Sequence, residues 1–111
     1  MSTIFEKIIS GELSSEKVFE SETLIAIKDI NPQAPVHLLI IPKKAYPSLQ
    51  EVPKEDLSIM REIIDVSQVL AKKFEVADNY RLLTNIGSKA GQSVFHLHFH
   101  LIGGKELGPM A

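Results

Sequence analysis

The sequence predicts an α+β domain: a five-stranded antiparallel sheet with one long and one short helix. Three observations predict it. A short segment with its own start and stop signals opens the chain. One long stretch carries helical periodicity. About five β-prone segments are joined mostly by short turns, which favours antiparallel pairing. The 111 residues suit a single domain spanning 1–111.

Thr3-Ile4-Phe5-Glu6 reads as a capping box, in which hydroxyl and carboxylate each satisfy the other residue's free backbone N–H. Phe5, Ile8 and Ile9 form one apolar face, and Gly11 supplies the stop. Lys17 to Glu20 and Thr23 to Lys28 read as a hairpin around Ser21-Glu22. Asp29 to Pro35 holds two prolines and reads as a loop. Val36 to Ile41 is apolar on both faces except at His37, the pattern of a buried central strand.

From Lys54 to Glu75, Leu57, Met60, Ile63, Ile64, Ser67, Leu70, Ala71 and Phe74 recur at three- and four-residue steps. This predicts the long helix, with Pro53 suited to its first turn. Tyr80 to Thr84 is a further strand. Asn85 to Ser93 is a polar, glycine-containing loop, and Val94 to Ile102 is the last strand, stopped by Gly103-Gly104.

Twelve basic residues against 14 acidic ones leave a net charge of −2, which argues against a nucleic-acid partner. The one basic cluster is the pair Lys43-Lys44. No cysteine is present, so disulfides, thiolate zinc sites and cysteine nucleophiles are excluded. The lack of cysteine fits a reducing compartment. No signal peptide is evident and no apolar run is long enough for a membrane span. The expected location is cytoplasmic, with no membrane partner.

All four histidines fall on two predicted strands, and His96, His98 and His100 alternate. Alternate residues of a strand share a face, so these three point one way. Phe95, Leu97, Phe99 and Leu101 take the opposite face, toward the long helix. Neighbouring histidines then stand ~6.6–6.8 Å apart along the strand, and the outer two ~13 Å apart. Zinc–nitrogen bonds are about 2.0–2.1 Å, so one ion cannot reach all three. A metal would need His37 or a carboxylate from elsewhere, and no nearby strand position offers one. Neither a metal nor a cofactor is expected.

Two other readings remain. The histidines can simply be solvated or paired with neighbours. Alternatively, one is a nucleophile: neutral imidazole is available near pH 7 because its unperturbed pKa is about 6.5. Attack on phosphorus would give a covalent intermediate that water later opens. The loop from Asn85 to Ser93 lacks the ending of a nucleotide-binding P-loop. It still offers backbone N–H groups and the Asn85 and Ser93 side chains to a charged phosphoryl oxygen.

His96-Leu97-His98-Phe99-His100-Leu101-Ile102 resembles the His-x-His-x-His-x-x signature of the histidine triad (HIT) superfamily. Further segments resemble its nucleotide-binding Hint branch, bacterial members in particular. They are Ile4 to Ile9, Asp29 to Pro35, His37, Ile40 to Lys44, Gly91 to Phe95 and Gly103-Gly104. The resemblance implies a purine nucleoside phosphoramidase that releases AMP and an amine from adenosine 5′-phosphoramidates. It implies His98 as nucleophile, with the His96 backbone carbonyl orienting its ring. It places His100 and His37 near the phosphate and Ser93 at the leaving group. Asn85, Gly91, Gln92 and Ser93 would contact phosphate and ribose. Asp29 would accept from the ribose hydroxyls, with Ile30 beside it, and Phe5, Ile8 and Ile27 would wall the purine.

The resemblance also implies a homodimer. The sequence departs from the pattern at Ile27, often aromatic in relatives, at Ala90, often glycine, and in a tail without tryptophan. Alternatives are a dinucleoside polyphosphate hydrolase of the same superfamily and a nucleotide-binding regulatory or scaffold protein.

Overall fold

A computed structural model describes residues 2–110. The element order is α1 (Ile4–Ser10), β1 (Lys17–Glu20), β2 (Leu24–Lys28), β3 (Val36–Pro42), α2 (Ser58–Lys73), β4 (Tyr80–Leu83) and β5 (Phe99–Gly103). The five strands form one antiparallel sheet in the order β1-β2-β3-β5-β4. The predicted α+β class is therefore the observed one.

The capping box closes as the sequence requires. The Glu6 amide donates to the Thr3 hydroxyl at 3.2 Å, and the Thr3 amide donates to the Glu6 carboxylate at 2.9 Å. Gly11 ends α1 in the left-handed region, φ 88°, which costs glycine nothing.

β3 is apolar on both faces because both faces are covered. Leu38 and Ile40 join Leu24, Ala26, Phe99 and Leu101 in the core beneath α2, which contributes Ile59, Ile63, Val66 and Leu70. Leu39 and Ile41 join Ile25 and Ile27 in a second cluster, closed by Phe5 and Ile8 of α1. Burying each such side chain is worth roughly 1.5–3 kcal/mol. The two helices thus cover opposite faces of the sheet.

Three expectations need correction. The pattern from Lys54 to Glu75 is not one α-helix: Lys54–Asp56 is a 3₁₀ turn and α2 begins at Ser58. Asp56 and Leu57 donate to Pro53 and Lys54, three residues back, and so tighten this first turn. The last strand starts at Phe99 rather than Val94. β4, its neighbour, ends at Leu83, which pairs with His100, so residues before Phe99 have no strand to pair with on that side. In consequence Phe95 does not reach the core; it is 51% exposed, whereas Leu97, Phe99 and Leu101 are buried.

α2 ends in a Schellman arrangement. The Val76 amide donates to Ala71 O at 2.8 Å and the Glu75 amide to Lys72 O at 3.1 Å. Glu75 takes the left-handed conformation, φ 61°, where glycine is usual. Replacing Glu75 by glycine removes the clash between Cβ and the backbone. It should stabilise the fold by about 0.5–1 kcal/mol, raising the thermal midpoint by a few degrees. A lower midpoint for Glu75→Gly would contradict this assignment of strain.

Candidate active site

The β3–β5 register builds the site. Leu39 pairs with His100 and His37 with Ile102, so His37 and His100 are diagonal neighbours on the α1 face. Their rings approach with His37 Nε2 2.9 Å from His100 Nδ1. Asp29 lies one residue past β2, and its amide extends the ladder to His37 O at 3.0 Å. Its carboxylate then reaches His37 Nε2 at 3.3 Å, while its other oxygen accepts the Asn31 amide at 2.8 Å. The proline-bounded loop folds over this group, and the Gln33 amide donates to His37 Nδ1 at 3.0 Å.

His98 sits just outside the ladder. Its Nδ1 lies 2.7 Å from the carbonyl oxygen of His96, and its own carbonyl accepts from the Thr84 hydroxyl at 2.7 Å. The His98 ring meets Phe5 edge-on at 4.8 Å and stands 5.2 Å from the His100 ring. His96 itself is fully buried, with Nε2 2.7 Å from Pro42 O. The next residue, Leu97, donates its amide to Tyr46 O at 2.6 Å.

These partners assign the tautomers. A backbone carbonyl only accepts, so His98 Nδ1 carries a proton, and neutral His98 presents a bare lone pair on Nε2. A backbone N–H only donates, so His37 Nδ1 is unprotonated and its proton is on Nε2. That proton faces His100 Nδ1, which leaves neutral His100 an N–H on Nε2. The outcome is one lone-pair nitrogen and one N–H donor on adjacent rings.

Burial favours the neutral forms. Desolvation lowers the pKa of His98 and of His37, where the Asp29 charge works against it. His100 is pushed down to about 4, first by burial and then by the neighbouring His98 and His37. Histidines kept neutral at pH 7 retain their lone pairs for nucleophilic attack.

The structure brings together Asp29, His37, His98, His100 and Phe5. Asn85, Gly91 and Ser93 lie in the β4–β5 connection, at the His98 end of the sheet; Ser93 is exposed. Gly91 is left-handed, φ 101°, and a Cβ there would stand 3.4 Å from Asn85 Nδ2. Ile30 is 84% exposed, whereas Phe5, Ile8 and Ile27 are core residues that offer little surface. The Gln92 side chain does not face the site: it is buried, and its amide is hydrogen-bonded to Gly87, Val94 and Pro47. Thr84 and the carbonyls of Pro42 and Tyr46 were not legible as site elements, because each bond has a backbone group on at least one side and so leaves no paired residue-type signal.

A carboxylate does lie beside the histidines, supplied from beyond the end of β2 by Asp29. The ligand atoms of Asp29, His37 and His100 lie within 4.8 Å of one another, a grouping that could hold a metal ion. The 2.9 Å nitrogen separation is nonetheless that of a hydrogen bond; a tetrahedral zinc would set the two nitrogens roughly 3.3 Å apart. A groove of about 1030 Å³ is lined by Tyr80, Arg81 and Gly104, at the opposite end of the β4–β5 pair from His98.

A pH dependence of stability follows. The folded-state pKa of His100, at about 4, is below the unfolded value of 6.5, so the unfolded chain binds its proton first as pH falls. Stability should therefore be fullest above pH ~6.5 and decline toward pH ~4, with His37 and His98 acting in the same direction. Urea midpoints at pH 7.5 and 5 check this. The midpoint should drop at pH 5, and His100→Asn should drop less; equal midpoints for the wild type would contradict it.

Comparison with known proteins agrees with this geometry. Residues 10–107 match the family model described as the HIT domain. A HIT-like protein of Chlamydia pneumoniae is 53% identical over 98% of this chain and 99% of its own length. The purine nucleoside phosphoramidase of Escherichia coli K12 is 42% identical over 97% of this chain and 92% of its own. Among solved structures, a HIT family hydrolase from Clostridium thermocellum superimposes with a TM-score of 0.94 at 46% identity, covering 98% of this chain and 96% of that one. The chain belongs to the HIT domain family.

Proposed function

We propose that the chain is a purine nucleoside phosphoramidase that opens the P–N bond of adenosine 5′-phosphoramidates, releasing AMP and an amine. The observation that carries this reading is the tautomer of His98. With Nδ1–H held by the His96 carbonyl, Nε2 is the one nitrogen free to attack. The name of the E. coli relative, at 42% identity, supports the substrate class.

In the first step His98 Nε2 donates its lone pair to phosphorus, and the P–N bond breaks. The electron pair leaves with nitrogen, which takes up a proton as the amine departs. Water then attacks phosphorus, the P–Nε2 bond breaks, and AMP is released with His98 restored. His100 Nε2–H, backed by His37, donates to a phosphoryl oxygen as charge grows there. The Ser93 hydroxyl serves the leaving nitrogen. Asn85 and the Gly91–Ser93 backbone hold phosphate, and Asp29 accepts from the ribose hydroxyls with Ile30 at the rim. Phe5, with Ile8 and Ile27 behind it, forms the floor on which the site rests.

The working unit in this reading is a cytoplasmic homodimer. β4 is an edge strand, and Leu57, the residue that caps α2, and Ile64, seven residues further along the same side, remain about half exposed. A second copy would cover both. Among the described residues, no helix is long and apolar enough to cross a membrane.

An adenosine 5′-phosphoramidate with an alkylamine leaving group tests the proposal. The wild type should release the amine and pass through an acid-labile nucleotidyl-protein. His98→Asn should keep AMP binding and lose turnover by at least about 10³-fold. Full activity in His98→Asn would contradict the nucleophile. Faster cleavage of a dinucleoside polyphosphate than of the phosphoramidate would instead favour a P–O–P hydrolase.

A further inference from the structure

Residues 91–98 carry the chemistry yet precede β5, so sheet pairing does not hold them. Three hydrogen bonds dock this segment on the chain leaving β3. Pro42 O accepts from His96 Nε2 at 2.7 Å, Tyr46 O from the Leu97 amide at 2.6 Å, and Pro47 O from Gln92 Nε2 at 2.7 Å. The last depends on a side chain that neither reacts nor belongs to the histidine cluster.

Gln92 is 4% exposed, and its amide is fully used. Besides Pro47, Nε2 donates to Val94 O at 3.1 Å, and Oε1 accepts the Gly87 amide at 2.9 Å. One side chain therefore joins the entrance of the 87–94 loop, its exit and the chain leaving β3. The loop also holds a 3₁₀ turn, Ser88–Ala90, in which the Ala90 and Gln92 amides donate to Gly87 O and the Gly91 amide to Ser88 O; these bonds are internal and tie the loop to neither flank. A buried amide with every bond made specifies one arrangement, since displacing it strands buried polar groups.

We propose that the Gln92 side chain is a positioning group: its buried amide sets the 87–94 loop, and with it the Ser93 hydroxyl, while the side chain itself does not reach the nucleotide. The inference rests on the reading of His98 as nucleophile and Ser93 as the group at the leaving nitrogen. The nucleophile has separate supports, in the His96 carbonyl and the Thr84 hydroxyl. Loss of the Gln92 clamp therefore leaves the attack geometry in place and impairs departure of the amine. A basic alkylamine needs its proton as the P–N bond breaks, whereas a weakly basic arylamine leaves without much help.

The test compares AMP phosphoramidates of an alkylamine and of an aniline in the wild type and in Gln92→Ala. Gln92→Met, which keeps the side-chain volume, serves if the alanine variant fails to fold. The kcat for the alkylamine substrate should fall by about 30-fold or more and that for the aniline by less than about 3-fold. KM should change alike for the two substrates, since both use the phosphate contacts of the Gly91–Ser93 backbone, and hydrogen exchange at the Gly87 amide should accelerate while that at Leu97 does not. Equal losses of kcat on both substrates would mean a general structural role and would overturn the proposal. If the wild type cleaves neither substrate, the hydrolase reading fails. Gly87 exchange then decides the clamp alone, and no difference between wild type and variant overturns it.

Discussion

The hydrogen bond from His98 Nδ1 to the carbonyl of His96 is the interaction on which the site depends. It exists because the chain has not yet entered the sheet: β5 begins at Phe99, one residue later. The His96 carbonyl is therefore available to the ring two residues on. The same departure from the sheet creates a need for other anchors. The chain leaving β3 supplies them at Pro42, Tyr46 and Pro47, and the Thr84 hydroxyl takes the carbonyl of His98. Irregular backbone here is what turns a histidine into a nitrogen with a defined lone pair.

The sheet supplies the complementary half. Antiparallel pairing of β3 with β5 sets His37 against His100, and the Gln33 amide settles which nitrogen of His37 holds the proton. A single backbone N–H thereby propagates through two rings to place an N–H on His100. Burial keeps the rings neutral, so lone pair and donor coexist. α1 completes the arrangement, since Phe5 is both a core residue and the edge-on neighbour of His98. Fold stability and site geometry share these side chains, so removal of Phe5 would disturb both.

Much of this was legible in the sequence, for reasons specific to each element. The capping box and Gly11 mark α1 because their chemistry is local. β3 stands out because both faces are apolar, and alternation puts His100 of β5 on the face opposite Phe99 and Leu101. What was not legible depends on contacts distant in the chain. The start of β5 is decided by where β4 stops pairing, not by the alternating pattern, which runs on through Val94. Asp29 reaches His37 only through the β2–β3 pairing, so a carboxylate beside the histidines was invisible along one strand. Gln92 was expected at the ligand because the Gly91–Ser93 segment resembles the family's phosphate and ribose contacts, yet its amide turns inward to Pro47, 45 residues away.

The central claim is that backbone hydrogen bonds assign the tautomers and leave His98 Nε2 bare. Ring-¹⁵N NMR of the protein at pH 7 measures this directly. His98 should show a protonated Nδ1 and an unprotonated, pyridine-like Nε2, with His100 showing the opposite tautomer. A His98 proton on Nε2, or an imidazolium at that pH, would contradict the account.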